Sequence, residues 1–399
     1  MFAKQTVQQL ECAGKRVLVR VDFNVPVADG SVTDDTRIVA ALPTIRYLLE
    51  KKARIILCSH LGRPKGGPDT KNSLKPVRER LARLLRMDVA WADDCVGEPA
   101  ERAAHALADG QVLLLENLRF HAEEEQNEPG FAAALAKLGE CFVNDAFGTA
   151  HRAHASTEGV THFLKPAVAG LLMKQELDYL GGALDDPKRP FVAVLGGSKV
   201  SGKIDVIEAL LPKVDRLLIG GAMMFTFLKS QGIPTGKSLV EDDRLDVARE
   251  LLARAAARNV ELVLPVDTIA STAPDGSAPG VAKRVGQLTD AEMGVDIGPE
   301  SVALFASRLK DAKTVLWNGP MGIFEVAAFA AGTMGVAEAI SELKPRGAVT
   351  VVGGGDSVAA VQQSGLADRF SHLSTGGGAS LEFLEGKVLP GVAALEDLA

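Results

Sequence analysis

The chain has 399 residues, of which 47% are hydrophobic and 24% charged, and a formal net charge of −7. That length exceeds one ordinary domain and predicts two, each with enough apolar residues for a core of its own. The acidic balance excludes a general binder of nucleic acid or membrane surfaces, so an anion site has to be a local gathering of Arg, Lys and His.

In chain order, residues 16–27 (RVLVRVDFNVPV) predict a strand ending in Asp22 and Asn24, stopped by Pro26. A loop with Asp34 and Asp35 follows, then Arg37 at the start of a helical pattern. Residues 54–58 (RIILC) predict a second strand, running into Ser59, His60, Leu61, Gly62 and Arg63. After a helix near residues 75–86, residues 112–115 (VLLL) form a strand that leads to Arg119. Residues 141–143 (CFV) lead to Asn144 and Asp145, then to His151, Arg152 and His154. Four apolar strands thus each precede a polar loop, and the loops carry Asp22 and Asn24, His60 and Arg63, Arg119, and Arg152. In an open parallel α/β sheet, ligands bind at the carboxyl ends of the strands. Each Arg could instead pair with a local carboxylate on a solvated face. Four in register on an acidic chain favour an anion site, because the planar guanidinium fork matches phosphate and carboxylate oxygens.

Residues 170–184 (GLLMKQELDYLGGAL) predict an amphipathic helix, after which a second strand-and-loop series begins, so this helix marks the boundary between two halves. The second half reads FVAVLGGSKVSGK (191–203), RLLIGGAM (216–223), ELVLPVD (261–267), TVLWNGPMGIFE (314–325), AVTVVGGGDSVAAV (348–361) and FSHLSTGGGAS (370–380). Its loops are rich in glycine, with Lys199 and Lys203 as cations. In the stretch 348–361 a β-branched strand runs into Gly353, Gly354 and Gly355, then Asp356, Ser357 and a helix. That arrangement presents free backbone N–H groups to an anion. Asp356 can hold a metal ion or cap the helix. Backbone N–H groups with a few lysines suit a nucleotide polyphosphate, whereas a half rich in Arg and His suits a small, highly charged anion.

Several motifs nearly match and fail. Gly197 to Lys203 satisfies G-x-x-x-x-G-K, but Ile204 follows where a P-loop needs a hydroxyl for Mg²⁺, and the GKS ending at Ser238 is one residue too short. Gly353-x-Gly355 is followed by Val358 where a dinucleotide fold needs glycine. His151 and His154 lack a third ligand with zinc spacing, and the HRD and DFG motifs of protein kinases are absent. The cysteines Cys12, Cys58, Cys95 and Cys141 are scattered without a CxxC pair and read as reduced thiols of a cytoplasmic protein. MFAKQTVQQL lacks the apolar core of a signal peptide, and no apolar run reaches bilayer length.

Taken together, RVDFNVP (20–26), SHLGRP (59–64), ENLRF (116–120), NDAFGTAHRAHAST (144–157), LGGSKVSGK (195–203), NGPMGIFE (318–325), GGGDS (353–357) and STGGGASLEFLEGKVLPG (374–391) resemble phosphoglycerate kinase, in the family's order and over nearly the whole chain. The resemblance implies two doubly wound, parallel-sheet, Rossmann-like α/β domains joined by a helix, with a cleft between them. The phosphoglycerate-binding domain would span residues 1–169 with a returning tail at 380–399, the joining helix 170–185, and the nucleotide-binding domain 186–379. The implied reaction is reversible phosphoryl transfer between 1,3-bisphosphoglycerate and MgADP, giving 3-phosphoglycerate and MgATP, by a cytoplasmic monomer. Carried over by position, Asp22, Phe23, Asn24, Arg37, His60, Leu61, Gly62, Arg63, Arg119 and Arg152 would bind phosphoglycerate. Lys199, Lys203, Gly220, Gly221, Gly294, Asn318, Pro320, Glu325 and Gly353 to Ser357 would bind nucleotide, with Asp356 on the Mg²⁺ that it carries.

This chemistry fits the residues. Both acceptors, a carboxylate or a nucleotide phosphate, are ionised at neutral pH, so the site needs cations and N–H donors rather than a general base. Arg37, Lys199 and the helix start at Gly376, Gly377 and Gly378 are the candidates for stabilising the moving phosphoryl group. A rival from another class is a two-domain anion-binding protein without catalysis, which has no use for a metal-holding carboxylate beside its phosphate loop.

Overall fold

In the computed structural model, which describes residues 4–65 and 67–398, the chain divides into two compact units, Met1–Asp178 with Val388–Ala399, and Tyr179–Lys387. The first division falls inside the expected joining helix, observed at Leu171–Asp185. The second follows the helix Gly378–Leu384. Residues 1–3 and 399 of the expected first domain lie outside the described residues.

The first unit contains β1 (Arg16–Arg20), a short hairpin of β2 (Val27–Ala28) and β3 (Ser31–Val32), then β4 (Arg54–Cys58), β5 (Val89–Ala92), β6 (Val112–Leu115), β7 (Cys141–Asn144) and β8 (Ala167–Ala169). Six of these form one parallel sheet in the order β5-β6-β4-β1-β7-β8. β6 and β7 are buried along their whole length, as expected for a parallel sheet covered on both faces. Strand β1 ends at Arg20 rather than at Asn24. Beyond it the backbone turns upon itself, with Val25 N donating to the Phe23 carbonyl at 2.9 Å and Asn24 N to Asp22 Oδ1 at 3.2 Å, and the ladder stops. Strand β5 escapes the apolar-run reading because it mixes buried and exposed positions, and β8 because it is only three residues long.

The second unit contains β9 (Phe191–Leu195), β10 (Arg216–Ile219), β11 (Glu261–Val263), β12 (Asp267–Ser271), β13 (Val281–Arg284), β14 (Met293–Ile297), β15 (Thr314–Asn318), β16 (Val349–Gly353) and β17 (His372–Leu373). Its parallel sheet runs β11-β10-β9-β15-β16-β17, and β12, β13 and β14 make a separate antiparallel sheet. The expected single strand over 261–267 is therefore two elements in two sheets. Pro265 lies between them and has no N–H for a ladder.

In the second sheet the chain winds outward one way from β9 and later returns to wind the other way; in the first it also fills one side of β1 before the other, but β5 takes the edge and β6 inserts between it and β4. The reversal lies between β1 and β7 in the first unit and between β9 and β15 in the second. A crevice at the carboxyl ends of such strands is where this topology binds ligands.

Candidate functional site

At the carboxyl edge of the first sheet the predicted residues form a hydrogen-bonded chain. Asp22 follows β1 and is ion-paired with Arg37, Oδ2 to Nη1 at 2.9 Å. The same nitrogen reaches the Asn24 carbonyl at 3.4 Å. Asn24 Oδ1 accepts from Gly62 N at 2.9 Å, and the Gly62 carbonyl accepts from Arg119 Nη1 at 2.9 Å. Arg119 also pairs with Glu125 at 3.1 Å and is buried. Arg152 is half-buried, with Nε directed at His151 Nε2 at 3.2 Å, and its charge is felt at both Arg119 and His154. Arg63 is exposed on the loop after Gly62. Phe23 and Leu61 put their side chains in the core, and their N–H groups go to Ser59 Oγ and Asn117 Oδ1.

Beneath this layer lies a second one that the sequence did not reveal. Arg20, fully buried at the end of β1, donates to Ser156 Oγ at 2.7 Å, to the Val21 carbonyl at 2.5 Å and to His60 Nδ1 at 3.2 Å. Ser156 in turn donates to the fully buried Glu124, from N at 2.9 Å and from Oγ at 2.5 Å. Burial pushes the Glu124 carboxyl upward, while Arg20 pulls it back toward the charged form. The signal available was an Arg inside an otherwise apolar strand. Glu124 sits in a run of three glutamates that nothing in the sequence separates.

The histidines behave differently from the arginines. Burial, then the charges of Arg20, Arg119 and Arg37, hold His60 far below its ordinary value. Burial, then Arg20, Arg119 and Arg152, hold His154 down at about 4. Both rings are neutral at neutral pH, so neither adds positive charge to this surface.

In the second unit a cavity of about 440 Å³ opens at the topological reversal, within the ordinary range for a small-molecule site. Its walls are largely apolar, with Met224, Phe225, Leu239, Val295, Met321 and Ile323 among them, and Glu325 and Asp356 supply carboxylates. Of the predicted nucleotide residues, Gly221, Gly294, Pro320, Glu325 and Asp356 line it. Two of the glycines have physical reasons. Gly221 has φ +67°, and a Cβ there would stand 2.4 Å from Gly197 N. A Cβ on Gly294 would stand 2.0 Å from Phe225 Cζ, so the bare backbone is what lets that ring form the wall.

The remaining predicted residues adjoin it. Gly220 ends the β10 turn, its N donating to the Leu195 carbonyl at 2.8 Å. Asn318 ends β15 and accepts from the Lys203 ammonium. Burial holds Lys203 down at about 8, opposed by Glu385 and Asp356. Asn318 Nδ2 is buried without a partner among the described residues, and it would stand 3.0 Å from a Cβ on Gly354. Gly353 ends β16, Gly354 is the N-cap of the helix Gly355–Gln363, and Gly355 has open space around it. The capping role open to Asp356 is not realised, since that helix has no side-chain cap and Asp356 is exposed in its first turn. Ser357 is buried and accepts from Gly319 N at 2.6 Å, which pins the turn after β15. Lys199 is exposed. Gly376 is buried, its N donating to Ser374 Oγ at 3.1 Å, and Gly377 caps the helix Gly378–Leu384 with φ +53°.

The family model described as phosphoglycerate kinase matches residues 7–387. The chain is 59% identical over 393 residues to the phosphoglycerate kinase of Chlorobium luteolum, covering 98% of this chain and 99% of that one. It is 58% identical over 386 residues to the chloroplastic phosphoglycerate kinase of Volvox carteri, covering 96% and 84%. Among solved structures, that of the Coxiella burnetii phosphoglycerate kinase is similar with a TM-score of 0.89 and 43% identity, over 98% of both chains. The Pyrococcus horikoshii phosphoglycerate kinase gives 0.83 and 32%, over 99% of this chain and 98% of that one.

Proposed function

Because the chain belongs to the phosphoglycerate kinase family, we propose a division of its reaction between the two ligand surfaces. The reaction is reversible phosphoryl transfer between 1,3-bisphosphoglycerate and MgADP, giving 3-phosphoglycerate and MgATP in glycolysis. The arginine surface of the first unit takes the phosphoglycerate, and the apolar cavity of the second unit takes the nucleotide base. What carries this reading is the contrast at equivalent sheet edges: guanidinium groups on one, apolar walls with exposed backbone on the other.

In the first unit, Arg119, Arg152 and Arg63 neutralise the phosphate and carboxylate of the substrate, and Asn24 and Asp22 fix the loops that hold them. His60, neutral and accepting from Arg20, packs against the ligand as a hydrogen-bonding group without charge. Arg37 has one nitrogen occupied by Asp22 and keeps further N–H donors for an equatorial phosphoryl oxygen.

In the second unit, Gly221, Gly294 and Pro320 shape the base pocket, and Glu325 accepts from the ribose. The orphaned Asn318 Nδ2 lies beside the glycine turn, where a polyphosphate oxygen would satisfy it. Lys203, Gly353, Gly354 and Gly355 complete that cradle. Lys199, Gly376 and Gly377 supply cation and N–H groups to the moving phosphoryl group. Asp356 is a hard oxygen donor exposed at the cavity wall, which fits the Mg²⁺ of the nucleotide. When bound, that ion neutralises polyphosphate charge.

No residue is needed to remove a proton, since the accepting oxygen is already ionised. The barrier falls through positioning and through charge placed where the transition state develops it. We further propose a monomer acting in the cytoplasm; no helix among the described residues is long and apolar enough to cross a membrane.

A coupled assay with 3-phosphoglycerate and ATP tests the reading. Turnover is expected with Mg²⁺ and not without it. Binding of both ligands without turnover would return the non-catalytic anion-binding alternative.

A further inference from the structure

At the carboxyl ends of β5 and β6, apart from the residues assigned to either ligand, the loops after two neighbouring strands bring a thiol, an imidazole and a carboxylate together. β5 and β6 pair with Ala92 beside Leu115. The turn after β5 carries Asp94 and Cys95, and the short 3-10 turn Leu118–Phe120 after β6 ends at His121. One donor atom from each of the three residues lies within 4.8 Å of the other two, the one such group among the described residues.

The three are held in place from several directions. His121 Nε2 and Asp94 Oδ1 are 2.7 Å apart, and Cys95 N donates to the same oxygen at 2.6 Å. The His121 ring packs against Phe131 with centroids 5.2 Å apart, which fixes its plane. Cys95 is buried, while Asp94 and His121 are half-exposed. A soft donor thus lies inside and two harder donors lie at the surface.

A surface ion pair beside an inert core thiol would account for the His121–Asp94 contact alone. It would not require the thiol, the imidazole and the carboxylate to converge from two separate loops. We propose that Asp94, Cys95 and His121 form a binding site for a borderline-soft divalent cation, zinc foremost, with three protein ligands and water in the fourth position. Thiolate, imidazole and one carboxylate form a zinc-type donor set, whereas Mg²⁺ prefers oxygen donors throughout, so this site is chemically separate from that of the nucleotide's metal. Binding replaces the S–H bond of Cys95 by an S–Zn bond, and the proton leaves to solvent. Ligand bonds of about 2.0–2.3 Å on a tetrahedron place donors roughly 3.3–3.6 Å apart, so His121 and Asp94 have to part by about half an ångström. Both are half-exposed and able to do so.

Cobalt(II), titrated into the full-length protein after chelator treatment and without nucleotide, tests this. A sulfur-to-cobalt charge-transfer band with tetrahedral d–d bands is expected, saturating at one ion per chain and displaced by zinc. Cys95→Ser should abolish the charge-transfer band, and Cys141→Ser should retain it. His121→Gln, a half-exposed position, should weaken cobalt at least tenfold. Absence of the band in the unaltered protein, or its survival in Cys95→Ser, overturns the site. Should Cys95→Ser fail to fold, unchanged cobalt affinity in His121→Gln overturns it equally.

Discussion

At the carboxyl edge of the first sheet, ligand-facing chemistry is carried by guanidinium groups, and most of these are themselves tied down. Arg37 is held by Asp22, Arg119 by the Gly62 carbonyl and Glu125, and Arg20 lies wholly inside on Ser156. At the same edge of the second sheet there are few fixed charges. Glycine turns expose backbone N–H groups, Met321, Phe225 and Ile323 make apolar walls, and Asp356 and Lys199 stand exposed. Two sheets of similar winding therefore present opposite surfaces. The first pre-pays the cost of gathering like charges by burying partners beneath them, which suits a small anion of high charge. The second gathers little charge of its own, which suits a ligand that brings both a flat apolar base and a metal-neutralised polyphosphate.

The largest effect tests whether the buried layer supports the first surface. Arg20→Met removes the buried charge that favours ionised Glu124 and the donor that serves Ser156, the Val21 carbonyl and His60, and it should cost about 3–5 kcal/mol in urea unfolding, as for a buried charge left uncompensated. An unchanged midpoint would mean that Glu124 simply takes up a proton and Arg20 carries no structural weight.

Next in size are the two candidate phosphoryl-facing cations, one from each surface. Arg37→Ala and Lys199→Ala should each lower kcat by about a hundredfold or more, with smaller changes in KM, because such contacts strengthen in the transition state. The double variant should lose less than the product of the single losses if both serve one transition state. Near-normal kcat in either folded single variant removes that residue from the catalytic set. An effect confined to stability would assign Arg37 to its pair with Asp22.

A smaller, selective effect is expected on the second surface. Asp356→Asn should weaken MgATP at least tenfold in calorimetry, a loss of about 1.4 kcal/mol, and leave phosphoglycerate binding unchanged. Equal losses for both ligands would take the metal role from Asp356.

A pH-dependent effect concerns the neutral histidines of the first surface. The pKa of His154 is depressed from 6.5 in the unfolded chain to about 4 in the folded one, by burial and then by Arg20, Arg119 and Arg152. The unfolded state therefore binds the extra proton first. Stability should fall as pH drops from 6.5 toward 4 and this contribution should level off below that. His154→Gln should make the urea midpoint less steep in that window. An identical pH slope in the variant would show that His154 is not held neutral.

Much of this is legible in the sequence. The strands Arg54–Cys58 and Val112–Leu115 stand where the apolar runs placed them, because strands buried on both faces write themselves as unbroken apolar sequence. The positions of Arg119 and Asp356 beyond strand ends, and of Arg37 at a helix start, followed from the same pattern. The antiparallel sheet of β12, β13 and β14 was not legible. Asp267, Thr268 and Ser271 interrupt β12, Gly294 and Asp296 interrupt β14, and β13 is largely exposed, so no apolar run announces it.

What the sequence determined by itself was whatever depends on local order: the strand-loop period, the glycine turns, the loops that carry cations, and the family resemblance in those motifs. What tertiary structure alone decided was protonation and partnership. A histidine beside arginines in sequence could be a cation or a neutral acceptor. His60 is neutral because burial removes water and because Arg20, brought alongside by the pairing of β1 with β4, repels a proton. Glu124 differs from Glu123 and Glu125 in the same way, since only the fold places it under Ser156 and out of solvent. Desolvation and long-range charge depend on distances between residues far apart in the chain, and linear order does not carry those distances.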